Sequence, residues 1–269
     1  MTNTHIPRPN LLQWLRFALR FVAFFVGSVL IIVTYMILYS LEKILPFRQS
    51  NRMPQLWGQM GVLLLGVKVD LHGTPMKHGG AVVANHVSWV DIFVLHSLTR
   101  MAFVAKSEVK KWPFIGFLAS VVGTVFIERR TSQAGKHQDA LKKRLDRGDP
   151  LCFFPEGTNT DGRRVVEFKS TLFAVFMSPG LVDSTWIQPA TLSYFPPNGL
   201  PEDFYGWPDE MSFFSNLVQV LALSSGGRVK VTLHDAVRAS DYKDRKELAK
   251  SCRSTVRGQL EQDLGLVTN

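Results

Sequence analysis

Asn85, His86 and Asp91 are the residues of this chain best equipped to move a proton. They stand in the run Asn85-His86-Val87-Ser88-Trp89-Val90-Asp91, directly after the apolar stretch Ala81–Ala84. On a straight helix His86 and Asp91 would point about 140° apart and could not meet. They do meet if His86 occupies a strand-to-helix turn and Asp91 the first helical turn. Asp91 then accepts from one imidazole nitrogen, fixes the tautomer and leaves the other nitrogen as a general base. No Ser or Cys nucleophile accompanies the pair, so the base must act on a hydroxyl of the substrate.

Two further polar clusters follow apolar runs. Gly123-Thr124-Val125-Phe126-Ile127-Glu128-Arg129-Arg130 delivers two guanidinium groups, suited to bidentate binding of phosphate or carboxylate. Phe154-Pro155-Glu156-Gly157-Thr158-Asn159-Thr160-Asp161-Gly162 is a glycine-containing turn. Its backbone N–H groups, beside a Glu and a Thr hydroxyl, could cradle an anion or an oxyanion. Other chemistries lack their motifs. The chain has no Gly-x-Ser-x-Gly elbow, no Walker A sequence, no strand-coupled Gly-x-Gly-x-x-Gly and no His-Glu-x-x-His. Its basic residues do not interleave with aromatics as in a nucleic-acid platform. Neither a metal nor a cofactor is expected.

These clusters need a scaffold that brings strand ends together. Strands are predicted at Lys68–Leu71, Ala81–Ala84, Met101–Ala105, Thr124–Ile127, Leu151–Phe154, Trp186–Leu192 and Val229–Leu233. Several are apolar throughout, as in a parallel sheet covered on both faces. All three polar clusters then fall at the C-terminal ends of strands, where α/β proteins build their sites. Lys136–Arg147 reads as a helix with a basic outer face, stopped by Gly148. Leu248, Cys252, Val256 and Leu260 form an i+4 stripe on a C-terminal helix. The expectation is an α/β fold with a mostly parallel central sheet of about seven strands flanked by helices. Residues 195–214, with four prolines and six aromatics, form an irregular loop that either covers the core or faces lipid.

From Phe21 to Leu41 no residue is charged, a run of 21 that reaches roughly 30 Å as a helix. It is too long for the apolar region of a signal peptide and reads as a retained membrane helix. Arg8, Arg16 and Arg20 before it nearly balance Lys43, Arg48 and Arg52 after it. The positive-inside rule therefore leaves spanning and one-leaflet arrangements both open. The organisation is a basic tail (1–20), the membrane helix (21–41), a linker with an amphipathic segment (42–59) and one catalytic domain (60–269). Cys152 and Cys252 read as buried thiols. The net charge of +9 calls for an anionic partner. From Arg100 to Ser170 there are 14 Lys+Arg against 8 Asp+Glu, so +6 of that excess lies beside the second and third clusters.

Together the clusters resemble the motifs of the glycerolipid (1-acyl-sn-glycerol-3-phosphate) acyltransferases. Asn-His-x-x-x-x-Asp is met by Asn85, His86 and Asp91; Gly-x-x-Phe-Ile-x-Arg by Gly123, Phe126, Ile127 and Arg129; Phe-Pro-Glu-Gly-Thr by Phe154 through Thr158. An apolar fourth motif with a proline is similar to Trp186-Ile187-Gln188-Pro189-Ala190. The likeness covers roughly residues 60–240. It implies direct transfer of a fatty acyl group from acyl-CoA or acyl-carrier protein to the hydroxyl of a lysolipid. In that scheme His86 and Asp91 are catalytic, and Asn85, Lys106, Arg129, Glu156, Gly157, Thr158 and Asn159 line the substrate. The partners are the lipid bilayer, the acceptor and the donor, with no nucleic acid. The setting is a bacterial-type inner (cytoplasmic) membrane, with the catalytic domain facing the cytoplasm. Phosphatidate-forming members usually carry Arg where this chain has Asn159. The run Phe-Pro-Glu-Gly-Thr-x-Thr-Asp-Gly, with the later Phe168-Lys169-Ser170, is also similar to bacterial lyso-ornithine lipid acyltransferases. Lysophosphatidate is the first expectation for the acceptor and lyso-ornithine lipid the alternative. A basic, non-enzymatic membrane-surface protein is the reading from another class.

Overall fold

The computed structural model describes residues 9–45, 49–112, 115–121, 123–127, 141–142, 144–145, 150–207 and 211–266. Arg129, and most of the helix expected at Lys136–Arg147, lie outside the described residues. Among the described residues the eight strands are β1 (Lys68–His72), β2 (Gly80–Ala84), β3 (Ala102–Lys106), β4 (Val125–Ile127), β5 (Leu151–Phe153), β6 (Trp186–Phe195), β7 (Arg228–Leu233) and β8 (Val237–Arg238). They form one sheet in the order β1-β7-β6-β2-β5-β3-β4, with β8 beside β6. All seven expected strands are present within a few residues of their predicted ends. Two differences stand out. β6 runs three residues beyond Leu192, and the two-residue β8 is too short to leave a sequence pattern.

Pairing is parallel from β6 through β2, β5 and β3 to β4, and between β1 and β7; β6–β7 and β6–β8 are antiparallel. The apolar runs are explained by cover on both faces. Val82 and Ala84 of β2 face a core containing Trp57, Phe93, Leu95 and Tyr194. Ala81 and Val83 face the opposite core, with Phe173, Phe176 and Leu248. The helices are α1 (Leu11–Leu41), α2 (Met53–Leu65), α3 (Val90–Leu98), α4 (Ile115–Val121), α5 (Phe213–Ala222) and α6 (Arg245–Asp263). On α6, Leu248, Cys252, Val256 and Leu260 are all buried, as their spacing predicts. Asp244 caps this helix by accepting from the Lys246 and Glu247 N–H groups.

The N-terminal region departs from its sequence-based outline. Helix α1 starts at Leu11, so Arg16 and Arg20 lie on the helix and not in a tail before it. The Asn10 carboxamide caps it, with Gln13 returning the bond. Arg16 donates to the Ala222 carbonyl, and Arg20 to those of Leu221 and Leu223, at the C-terminal end of α5. These are carbonyls a helix end leaves without partners, and cations are favoured there. Further along α1, Phe24 packs on Trp57 and Phe93, and the buried Ser28 hydroxyl accepts from the Trp57 indole at 3.0 Å. Helix α2, which begins at Met53 and ends at a left-handed Gly66 cap, crosses the boundary expected at residues 59 and 60.

Candidate active site

β2 is buried along its whole length and ends at Ala84; α3 begins at Val90. The turn between them carries Asn85, His86 and the approach to Asp91. The Asn85 carboxamide behaves as a continuation of the strand. The regular β2–β6 ladder stops at Ala84 opposite Ala190. Asn85 then donates to the Leu192 carbonyl at 3.0 Å and accepts from the Leu192 N–H at 2.8 Å. From sequence Asn85 is expected to touch the substrate; in the structure it is fully buried and holds the turn against β6.

His86 and Asp91 meet as the strand-to-helix geometry requires, with Nδ1 and the carboxylate 2.7 Å apart. The same carboxylate oxygen accepts the Val87 and Ser88 N–H groups at 2.8 and 3.0 Å, and the other oxygen accepts the Tyr194 hydroxyl at 2.6 Å. Four donors converge on this one buried carboxylate. The oxygen that faces the imidazole already accepts two backbone N–H groups, so it accepts from Nδ1 as well, and Nε2 keeps its lone pair. The imidazole is one-fifth exposed, whereas Asp91 is fully buried. The Phe154 ring stacks on the imidazole at 3.9 Å and nearly parallel, which fixes the ring plane.

The Phe154–Gly162 turn leaves β5, the strand next to β2, and clasps the His86 backbone at both ends. Glu156 accepts the His86 N–H at 2.7 Å and the Val166 N–H at 2.9 Å. Thr160 donates to the His86 carbonyl through its N–H at 2.9 Å and its hydroxyl at 3.2 Å, and that hydroxyl accepts the Gly162 N–H. Glu156, expected to touch the acceptor, is almost completely buried inside this clasp. Burial pushes its carboxyl up to about 8, against the downward pull of the two N–H donors. Gly157 and Gly162 both adopt left-handed backbone, and a Cβ at Gly162 would sit 2.8 Å from Val87. Arg253 of α6 donates to the Val165 and Val166 carbonyls and steadies the far side of the loop.

The remaining expected residues share the same edge of the sheet. Gly157 closes the turn by donating to the Phe154 carbonyl, with Thr158 and Asn159 following it on the part-exposed surface. Lys106 is exposed at the C-terminal end of β3, opposite Ile127 of β4. The ammonium of Lys169 lies over the Gly157 turn, close enough that a Cβ at Gly157 would stand 2.6 Å from it. Tyr194, Lys169 and the clasp of Thr160 were not foreseen. Thr160 carried a signal in its place within the Phe154–Gly162 turn; Tyr194 stood inside an apolar strand and carried none.

The loop after β6 covers the core, the first of its two expected roles. Phe204 and Tyr205 are buried in the core. Trp207 donates through its backbone to the Val87 carbonyl, and its ring joins Trp112, Phe213 and Trp89 in an aromatic cluster at the site.

The family model described as Acyltransferase matches residues 67–193, which contain His86, Asp91 and Glu156. A lyso-ornithine lipid O-acyltransferase of Rhodobacter capsulatus is 46% identical over 201 residues, covering 75% of this chain and 73% of that one. The chain belongs to the acyltransferase family. Another acyltransferase relative, the 1-acyl-sn-glycerol-3-phosphate acyltransferase of Neisseria gonorrhoeae, is 35% identical over 124 residues, 46% of this chain and 49% of that one. The crystal structure of the 1-acyl-sn-glycerophosphate (LPA) acyltransferase PlsC from Thermotoga maritima shares the fold. Its TM-score is 0.64 at 20% identity, over 96% of this chain and 100% of that one. The mostly parallel sheet expected from sequence is therefore an acyltransferase fold, and the enzyme reading stands over the non-enzymatic membrane-surface protein.

Proposed function

We propose that this acyltransferase moves a fatty acyl group from a thioester donor, acyl-CoA or acyl-carrier protein, to the hydroxyl of lyso-ornithine lipid. The observation that carries the chemistry is the 2.7 Å bond between His86 Nδ1 and a carboxylate with three other donors. It leaves Nε2 as the base that takes the acceptor hydroxyl's proton while the oxygen attacks the thioester carbonyl. As the tetrahedral intermediate collapses, the imidazolium returns that proton to the departing thiolate. No acyl-enzyme is formed. The turn after β5, which packs against the His86 backbone, is the element from which donors to the developing oxyanion would come.

Two observations favour lyso-ornithine lipid over lysophosphatidate, the first expectation from sequence. One is the 46% identity to the R. capsulatus enzyme of that name. The other is Asn159, which withholds a guanidinium from the place where a phosphomonoester would need one. The test offers labelled acyl donor to membranes containing the protein, with lyso-ornithine lipid and with lysophosphatidate. Product from the first acceptor alone is expected; product from lysophosphatidate alone would reverse the assignment.

Helix α1 is long and apolar enough to cross a membrane, but its packing supports a different arrangement. From Arg16 to Tyr35 it lies along α5, α2 and neighbouring residues of the domain. A helix held along the domain by these contacts is not free to cross the roughly 30 Å of a hydrocarbon core. The helix lies in one leaflet, with the exposed Phe117 and Phe214 also available to lipid. In a bacterial cell this is the cytoplasmic leaflet of the inner membrane, where acyl-CoA and acyl-carrier protein have access to the site.

A further inference from the structure

Tyr194 lies one residue beyond the stretch matched by the family model, toward the end of the strand whose first half carries the fourth motif. Its ring is buried among Val82, Ala84, Val90 and Tyr205, and its hydroxyl donates to Asp91 at 2.6 Å. Three donors already hold the other carboxylate oxygen: the His86 ring, Val87 N–H and Ser88 N–H. Among the described residues, Tyr194 is the donor to Asp91 that comes from outside the β2–α3 turn. How it arrives follows from Asn85. By binding both backbone groups of Leu192, Asn85 sets the position of β6 against the turn. Side chains two residues apart on a strand share a face, so Tyr194 is delivered to the same side as Leu192, onto Asp91. The first position of the first motif, Asn85, thus assembles a further partner for the last, Asp91.

We propose that Tyr194 is a positioning residue for acyl transfer, acting through Asp91 on the basicity and orientation of His86. This rests on the reading of His86 as the general base. The phenol draws part of the carboxylate's charge onto itself. That leaves less negative potential at the imidazole. It also pins the carboxylate oxygen that His86 does not use, so the plane of Asp91, and with it the ring, cannot swing. The groups that titrate around Asp91 are His86 from its own turn, Tyr194 from β6, Glu156 from the turn after β5 and Cys152 on β5. Tyr205 packs against the Tyr194 ring, and Arg253 faces Glu156. Burial holds the Tyr194 phenol and the Cys152 thiol protonated well above neutrality, so neither competes with His86 in the working range.

The experiment is a pH–rate profile of the full chain in lipid nanodiscs, with whichever lysolipid it turns over. Tyr194→Phe keeps the ring and removes only the hydroxyl. It is expected to lower kcat tenfold or more at neutral pH, leave KM for the acyl donor within twofold, and move the acid limb of kcat/KM to higher pH. Site-specific replacement of Tyr194 by 3-fluorotyrosine, a stronger donor in the same space, is expected to move that limb to lower pH. Opposite displacements cannot come from general loosening of the core, and the fluorinated protein keeps the test decisive if the Phe variant folds poorly. An unmoved acid limb in both proteins would overturn the proposal. His86→Ala run alongside separates the cases: if it stays active, the reading of His86 fails; if it is inactive while both Tyr194 proteins match wild type, only the Tyr194 role fails.

Discussion

At the scale of single residues, the site is built less from substrate-facing groups than from groups that hold His86 still. Asn85 and Glu156 sit in motifs that look designed to touch a ligand, yet their side chains bind Leu192, His86 and Val166 of the same chain. Thr160 is a sensitive member of this clasp. Thr160→Val keeps the shape but leaves the Gly162 N–H without its acceptor, a loss of about 1–3 kcal/mol for a buried group. A lower melting temperature, by about 2–4 °C for each kcal/mol, is the expected result of a thermal-shift measurement. Lys169 has a different outlook, over the Gly157 turn. Lys169→Ala is expected to raise KM for an acceptor with a carboxylate or phosphate head group about tenfold and to change kcat little, read from steady-state kinetics. The pairing of His86 with Asp91 was legible in the sequence because five residues across a strand-to-helix turn admit one geometry. The inward roles of Asn85 and Glu156 were not, because their partners lie 107 and 70 residues away in the chain.

At the scale of elements, short apolar runs were readable as strands because cover on both faces leaves no polar alternation to confuse them. Element ends were less so: β6 continues past Leu192 only because β7 pairs with it as far as Phe195. Arg16 and Arg20 show a deeper limit. As sequence they are charges flanking an apolar run; in the fold they bind the carbonyl end of α5. Removing both (Arg16→Ala with Arg20→Ala) is expected to release the first turns of α1, seen as faster amide exchange in α5 and earlier proteolysis near Leu11. Helix α3 carries a second element-scale feature. His96, in its last turn, is fully buried with both ring nitrogens lacking a hydrogen-bond partner among the described residues. Burial lowers its pKa to about 4 from an ordinary 6.5. The unfolded chain therefore binds a proton that the folded chain refuses between those values. This contribution to stability is complete above pH 6.5 and lost as pH falls toward 4, by about 3 kcal/mol in all. His96→Leu is expected to flatten that acid limb in denaturation measured from pH 7 to pH 4, with a stability at pH 7 no lower than wild type.

At the scale of the whole molecule, α1 is part of the folded domain, packed on Trp57, Phe93 and the end of α5. Length and composition alone read a membrane helix and could not say whether it crosses. The distinction depends on which face of α1 is packed, and that is decided by Trp57, Phe93 and the end of α5, all distant in sequence. A one-leaflet helix leaves both of its ends on the same side. Cysteines introduced at Gln13 and Tyr39, in proteoliposomes exposed to a membrane-impermeant maleimide from outside, should both label or both stay protected on each molecule. Buried Cys152 and Cys252 are expected to stay silent. Labelling of one end without the other would establish a spanning helix.

The central claim is that His86, oriented by Asp91, is the base that activates the acceptor hydroxyl. Its most direct test is acyl transfer by His86→Ala and Asp91→Asn proteins, normalised to folded protein in the same membranes. Loss of at least a thousandfold for His86→Ala, with a smaller but large loss for Asp91→Asn, is the expected result. Transfer by His86→Ala within tenfold of wild type would contradict it.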